Sequence, residues 1–139
     1  MRAAHLYFLA GILCPQAVWG FGAVAIGVPA SVRDDGIAMG IAWNLPTAEA
    51  AAAAAHRECT QFSLAPPKTR ALCKVVRTFE GQCATIASDP APGGEEWGWA
   101  VASTAQAAEE RALRSCKTSH LKFCVIAVTG CDGPQFRPD

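Results

Sequence analysis

Thr47-Ala48-Glu49-Ala50-Ala51, running on to Cys59, and Thr104-Ala105-Gln106-Ala107-Ala108, running on to Cys116, are the two stretches on which the reading of this chain turns. In each the cysteine stands twelve residues after the threonine. Gly40-Ile41-Ala42 leads into the first and Gly98-Trp99-Ala100 into the second, and two more cysteines follow each, Cys73 and Cys83, then Cys124 and Cys131. Shared order and spacing of this kind mark a duplicated structural unit.

Threonine ahead of an alanine-rich run is a helix start, because its hydroxyl caps backbone donors that the first turn leaves without partners. Ala105, Ala108, Ala112 and Cys116 then recur at helical spacing, as do Ala48, Ala51, Ala55 and Cys59. Each helix therefore offers a thin apolar stripe and ends near its cysteine. Glu110 stands four residues before Arg114, a spacing that supports the second helix from its surface.

Strand signals surround the helices at 23–28, 37–44, 73–79, 84–88, 97–102 and 124–129. Asp34-Asp35-Gly36 and Glu80-Gly81-Gln82 suit hairpin turns, and Asp89 to Gly94 is a longer connection expected to separate the copies. The order is ββαβ twice. The expected fold is α+β: a duplicated ββαβ unit, in one mainly antiparallel sheet with two Ala-rich helices on one face. The repeats are expected at about 21–89 and 95–133 of a single domain, 21–139. Thr60 to Leu72 is thirteen residues where the second copy has seven, and is expected to be an exposed loop around Pro66-Pro67.

The first twenty residues stand apart. Arg2 is followed by a nearly continuous apolar run from Ala3 to Cys14, then by Val18-Trp19-Gly20. That pattern predicts a signal peptide over 1–20, with an uncleaved anchor as the competing reading. Removing it leaves 119 of the 139 residues and six of the seven cysteines, an even number for an oxidising compartment. The expected localisation is secreted or periplasmic, with no stable membrane insertion after cleavage. Six cysteines allow fifteen pairings. Like behaviour of the two copies favours Cys59 with Cys73 and Cys116 with Cys124, leaving Cys83 with Cys131 as a link between copies. Zinc is disfavoured, since no two cysteines lie two to four residues apart.

The chain carries twelve basic and twelve acidic residues, which predicts no nucleic-acid partner. A mild basic cluster of Lys68, Arg70, Lys74, Arg77, Lys117 and Lys122 would suit helix ends or an anionic partner such as a cell-envelope polymer. No catalytic constellation is evident: His56 and His120 have no recognisable nucleophile beside them, and no Gly-x-Ser-x-Gly elbow is present. Asp34-Asp35 and Glu95-Glu96 read as a turn and a solvated strand start rather than a glycosidase pair. No cofactor is implied.

Alternation in the strand before each helix is more suggestive. Ile37, Met39, Ile41 and Trp43 share one face while Ala38, Gly40 and Ala42 share the other; Trp97, Trp99 and Val101 oppose Gly98, Ala100 and Ala102. The small face fits beneath an alanine helix. Met39, Ile41, Trp43, Trp97 and Trp99 are then a candidate binding surface, unless loops, the N-terminal segment or a second subunit cover them.

Thr-Ala-x-x-Ala before a cysteine-ended helix, then Cys73-Lys74-Val75-Val76 and Cys124-Val125-Ile126, each followed by another cysteine, resembles the domain of unknown function 4189 family. The likeness covers about 21–133 and rests on the paired pattern. It implies a small exported bacterial α+β domain with disulfides and brings no established activity. The chain departs from the family at Ala84, where glycine is frequent, and in the length of the Thr60 to Leu72 loop. The favoured function is a non-enzymatic binding protein of inhibitor or secreted-effector type, acting on a protein or envelope polymer through the tryptophan-bearing strands or the Pro66-Pro67 loop. A small secreted hydrolase using a histidine and a structural envelope component are the alternatives.

Overall fold

A computed structural model describes residues 20–116 and 123–133 of the chain. Among them the elements run β1 (Phe21–Gly27), α1 (Val32–Asp35), β2 (Ala38–Leu45), α2 (Ala48–Thr60), α3 (Pro67–Arg70), β3 (Lys74–Glu80), β4 (Cys83–Ser88), β5 (Trp97–Ala102), α4 (Ala105–Cys116) and β6 (Val125–Cys131). The fold is α+β, and its two units share the ββαβ order. Both long helices start as their threonines dictate: Thr47 Oγ1 accepts from the Ala50 N–H at 3.0 Å, and Thr104 Oγ1 from the Ala107 N–H at 3.1 Å. Their buried stripes are Ala51, Ala54, Ala55 and Cys59 in α2 and Ala108, Ala112 and Cys116 in α4.

The strands do not lie in one sheet. Among the described residues they form two antiparallel sheets, ordered β2-β1-β3 and β5-β4-β6, each with its own Ala-rich helix on one face. The reason lies in the alternation of side chains. Small residues Ala23, Ala25, Ala38 and Ala42 turn towards α2, while Val24, Ile26, Met39 and Ile41 turn the other way. One shared sheet with both helices on the same side would leave that second, bulkier face to water. Stacked sheet on sheet, it meets Ile86, Trp97, Trp99 and Val101 of the second unit in a common apolar layer.

Two connections consequently differ from expectation. Glu80-Gly81-Gln82 is no hairpin turn, since β3 and β4 lie in different sheets and the turn carries the chain between them. Asp89 to Gly94 joins β4 to β5, which pair within one sheet, and so does not part the units. Asp34 and Asp35 fall in the single turn α1, capped by Ser31. The Thr60 to Leu72 loop is only partly exposed, because Ala65 and Thr69 are buried within it.

Among the described residues the six cysteines form three disulfides, Cys59–Cys73, Cys83–Cys131 and Cys116–Cys124. Cys83 and Cys131 are directly opposed on β4 and β6. This bridge is therefore internal to the second sheet rather than a link between copies.

A polar clasp holds the two units together where their ends meet. Asp132 is fully buried; its Oδ1 accepts from the Asn44 N–H at 2.9 Å and its Oδ2 from the Gly81 N–H at 3.0 Å. In return Asn44 Oδ1 accepts from the Gly133 N–H at 3.0 Å, and the Asp132 N–H donates to the Gln82 carbonyl at 2.8 Å. One carboxylate thus ties the end of β2, the β3–β4 turn and the end of β6.

Each long helix comes close to its own sheet at Gly40 and Gly98. A Cβ on Gly40 would lie 2.5 Å from the Cys59 nitrogen, and one on Gly98 would lie 2.7 Å from the Cys116 nitrogen. The obstacles are helix backbone, which cannot rotate away as a side chain can. Gly40→Ala and Gly98→Ala are each expected to lower the free energy of unfolding by about 2 to 3 kcal/mol, the upper part of the range for overpacked cores. Urea unfolding checks this, and a loss below about 0.5 kcal/mol, the size of an ordinary surface change, would show that the helices move aside freely.

Candidate functional site

β2 and β6 are edge strands of different sheets, and between them runs an open groove of about 810 Å³. Its floor and walls are Met39, Ile41 and Trp43 from β2 with Val125, Ala127 and Val128 from β6. Gln61, Phe62, Ser63 and Leu64, which follow α2, close one side. Leu64 is 85% exposed, yet its neighbour Ala65 is buried and the Cys59–Cys73 bridge spans the segment, so an apolar side chain is held out at the rim. Trp43 is 41% exposed and lies against the backbone of β6, where its ring occupies the space a side chain on Gly130 would need. Among the described residues that line this part, Glu58 is the only charged one.

The two edges are unlike. From Ala38 to Ala42, β2 pairs with β1 without interruption. On β6, Ile86 faces Val128 and Ala87 faces Ile126, so Ala127 is an extra, bulged residue.

The groove continues past Met39, Phe62, Leu64, Ser88 and Pro90 into a second hollow of about 560 Å³. This end is charged. Asp34, Asp35, Asp89 and Glu96 line it together with Arg33. Arg33 pairs with Glu95, tying the α1 loop to the β4–β5 loop, and Lys68 pairs with Asp35 at 2.8 Å. The hydrogen bond that Arg33 donates to Glu95, and then the charge of that carboxylate, hold the Arg33 guanidinium above its usual pKa.

The residues expected to form one binding surface are therefore divided. The second sheet covers the middle of that face, leaving Met39 and Ile41 only 8% and 6% exposed as floor residues, with Trp97 and Trp99 half-buried. Trp43 stands in the apolar groove and Trp97 at the charged hollow. His56 is exposed on α2, and His120 lies outside the described residues. Of the basic cluster, Lys68 is committed to Asp35, Arg70 Nη1 points at the Thr60 carbonyl at 3.5 Å, and Lys117 and Lys122 lie outside the described residues. No group of three or more His, Cys, Asp or Glu among the described residues is placed to hold a metal ion. No helix among them is long and apolar enough to cross a membrane.

Sequence reasoning missed Phe62, Leu64, Val125, Val128 and Asp132. A signal existed for the first two, which lie where the two units differ in length. None existed for Asp132, which reads locally as an ordinary turn residue after Cys131.

The profile of the family described as Domain of unknown function (DUF4189) matches residues 21–131, from the first residue of β1 to the last of β6. The chain belongs to the DUF4189 family. The matched span takes in all six strands, both capped helices and all three disulfides, so a DUF4189 domain is in this chain the pair of stacked sheets with its outer helices. Its disulfides fit an oxidising compartment such as the periplasm or the cell exterior. Neither the curated proteins nor the solved structures contain a significant match.

Proposed function

We propose that this protein is an exported, non-enzymatic binding domain that holds a partner in the groove between β2 and β6. The observation that carries the reading is the rim: an exposed Leu64, on the segment stapled by Cys59–Cys73, and a partly exposed Trp43 of β2 line the same apolar cleft. Apolar side chains held rigidly beside a pocket are the kind that dominate binding energy, because little conformational freedom is lost when they are covered. A tightly bridged scaffold suits an inhibitor or secreted effector that must survive outside the cell. The hydrolase reading has less support, since the carboxylates Asp35 and Glu95 are held in ion pairs and His56 stands on the outer surface of α2.

A photoreactive side chain at position 64 is expected to capture a partner from the envelope and secreted fractions of producing cells, whereas one at Arg111, on the exposed surface of α4, is not. Trp43→Ala is expected to weaken the captured complex about thirtyfold, the size of a typical hot-spot loss. His56→Ala should leave it unchanged. Equal capture from both positions, or indifference to Trp43→Ala, would remove the groove from consideration.

A further inference from the structure

Asp132 carries a negative charge that its partners do not balance. The residue is fully buried, and both groups that donate to its carboxylate, the Asn44 and Gly81 N–H groups, are neutral. Among the described residues no ion pair reaches it. A carboxylate withdrawn from water is as a rule paired with a cation, because neutral donors alone replace only part of its lost hydration.

The place of Asp132 in the fold says which cation meets it. β1 is the central strand of the first sheet, and its first residue, Phe21, lies between Leu45 and Glu80. Asn44 and Gly81, the two donors, adjoin those partners in sequence, so the carboxylate straddles the point at which β1 begins. Gly20 is buried there: a Cβ on it would lie 2.6 Å from Asp132 Oδ1 and 2.8 Å from the Asn44 Cα. The Gly20 Cα is therefore within about 4 Å of that oxygen, and the Phe21 nitrogen is two bonds further along the chain. In sequence this is where Val18-Trp19-Gly20 ends the leader expected over 1–20, and the family match begins at residue 21.

We infer that Asp132 is the receptor for the α-ammonium group that removal of residues 1–20 creates at Phe21. The inference rests on export with cleavage after Gly20 and is independent of the groove. Water adds across the Gly20–Phe21 amide; Gly20 leaves as a carboxylate, and the Phe21 amine takes up the released proton and is cationic at neutral pH. One amide donor becomes an ammonium with three, in the space that Gly20 vacates, and the buried carboxylate gains its counter-charge. Processing thus completes the clasp between the two units, and the precursor, which lacks that cation, holds them less firmly.

Urea unfolding compares the oxidised chain 21–139 bearing a free amine with the same chain acetylated at that amine, and with one that retains Val18, Trp19 and Gly20. Both changes are expected to lower the urea midpoint by about 1 M or more, since each leaves the buried carboxylate without a cation. In Asp132→Asn, acetylation should shift the midpoint by less than about 0.2 M. In Glu80→Gln, which alters the exposed carboxylate opposite Phe21, the full shift should remain. The rate at which an acylating reagent modifies the Phe21 amine of the folded chain needs no variant, and should be at least about tenfold below that of the peptide Phe-Gly-Ala. Equal midpoints for the free chain and either blocked chain, an undiminished shift in Asp132→Asn, or a Phe21 amine that reacts like the peptide overturns the inference. The amino terminus of the chain secreted by producing cells is expected at Phe21; one found elsewhere overturns the inference and leaves the groove reading untouched.

Discussion

Unfolded in urea, a variant with Cys83 and Cys131 both replaced by alanine is expected to lose more stability than one lacking either other bridge. The closed loops span 14 residues for Cys59–Cys73, 8 for Cys116–Cys124 and 48 for Cys83–Cys131. The chain-entropy relation then puts their contributions at about 3, about 2.5 and about 4 kcal/mol. Cys83–Cys131 fastens β4 to β6 at their paired ends, beneath the start of α4, and so closes the whole second unit. Together the three bridges are comparable with the entire net stability of an ordinary domain, about 5 to 15 kcal/mol. Full reduction is accordingly expected to unfold the chain at 25 °C, read as loss of tryptophan emission from the inter-sheet layer. A Cys59/Cys73 variant less stable than the Cys83/Cys131 variant would show that native packing, and not loop closure, sets the order.

Asp132→Ala carries a large expected cost for a single substitution that leaves every disulfide in place. It removes the acceptor of the Asn44 and Gly81 N–H groups at a position that is itself fully buried. Hydrogen bonds to a charged group contribute about 1.5 to 3 kcal/mol each, so the loss should be about 3 to 5 kcal/mol. Asn44 is also held at a positive φ of 58°, a conformation that asparagine tolerates better than most residues other than glycine and that the clasp helps to hold. Asp132→Asn keeps one carbonyl acceptor but turns an amide donor towards a second donor, so it should recover only part of the loss. Hydrogen exchange adds a local readout: the Asn44 and Gly81 amides should lose protection while those of Ala108 and Ala112, in α4, keep theirs at low denaturant. A change below about 1 kcal/mol with protection retained would show that water replaces the carboxylate at no cost.

Much of the local structure was legible because its causes are local. A threonine caps its own helix within three residues, an alanine stripe repeats every three or four, and a strand sorts side chains by parity. All three signals occur twice here and lead to the same ββαβ order in both units. Even the contact of Gly40 and Gly98 with their helices followed from that parity, since the small face was expected beneath the helix. The short helices α1 and α3 were not legible, because a single turn has too few residues to show a period.

By itself, then, the sequence determined the six strands and the two long helices, the face that each strand turns to its helix, and an α+β order of elements that recurs. Only the tertiary structure decided that the strands split into two sheets, that the tryptophan-bearing face is largely interior, that Cys83–Cys131 lies within one unit, and that Asp132 joins both. The physical reason is range. Caps and periodicity act over a few residues, whereas the partner of an apolar face, or of a buried carboxylate 88 residues away from Asn44, is chosen by what the folded chain brings alongside it. The groove belongs to that second class, because it exists only where the edges of two separately formed sheets come to lie side by side.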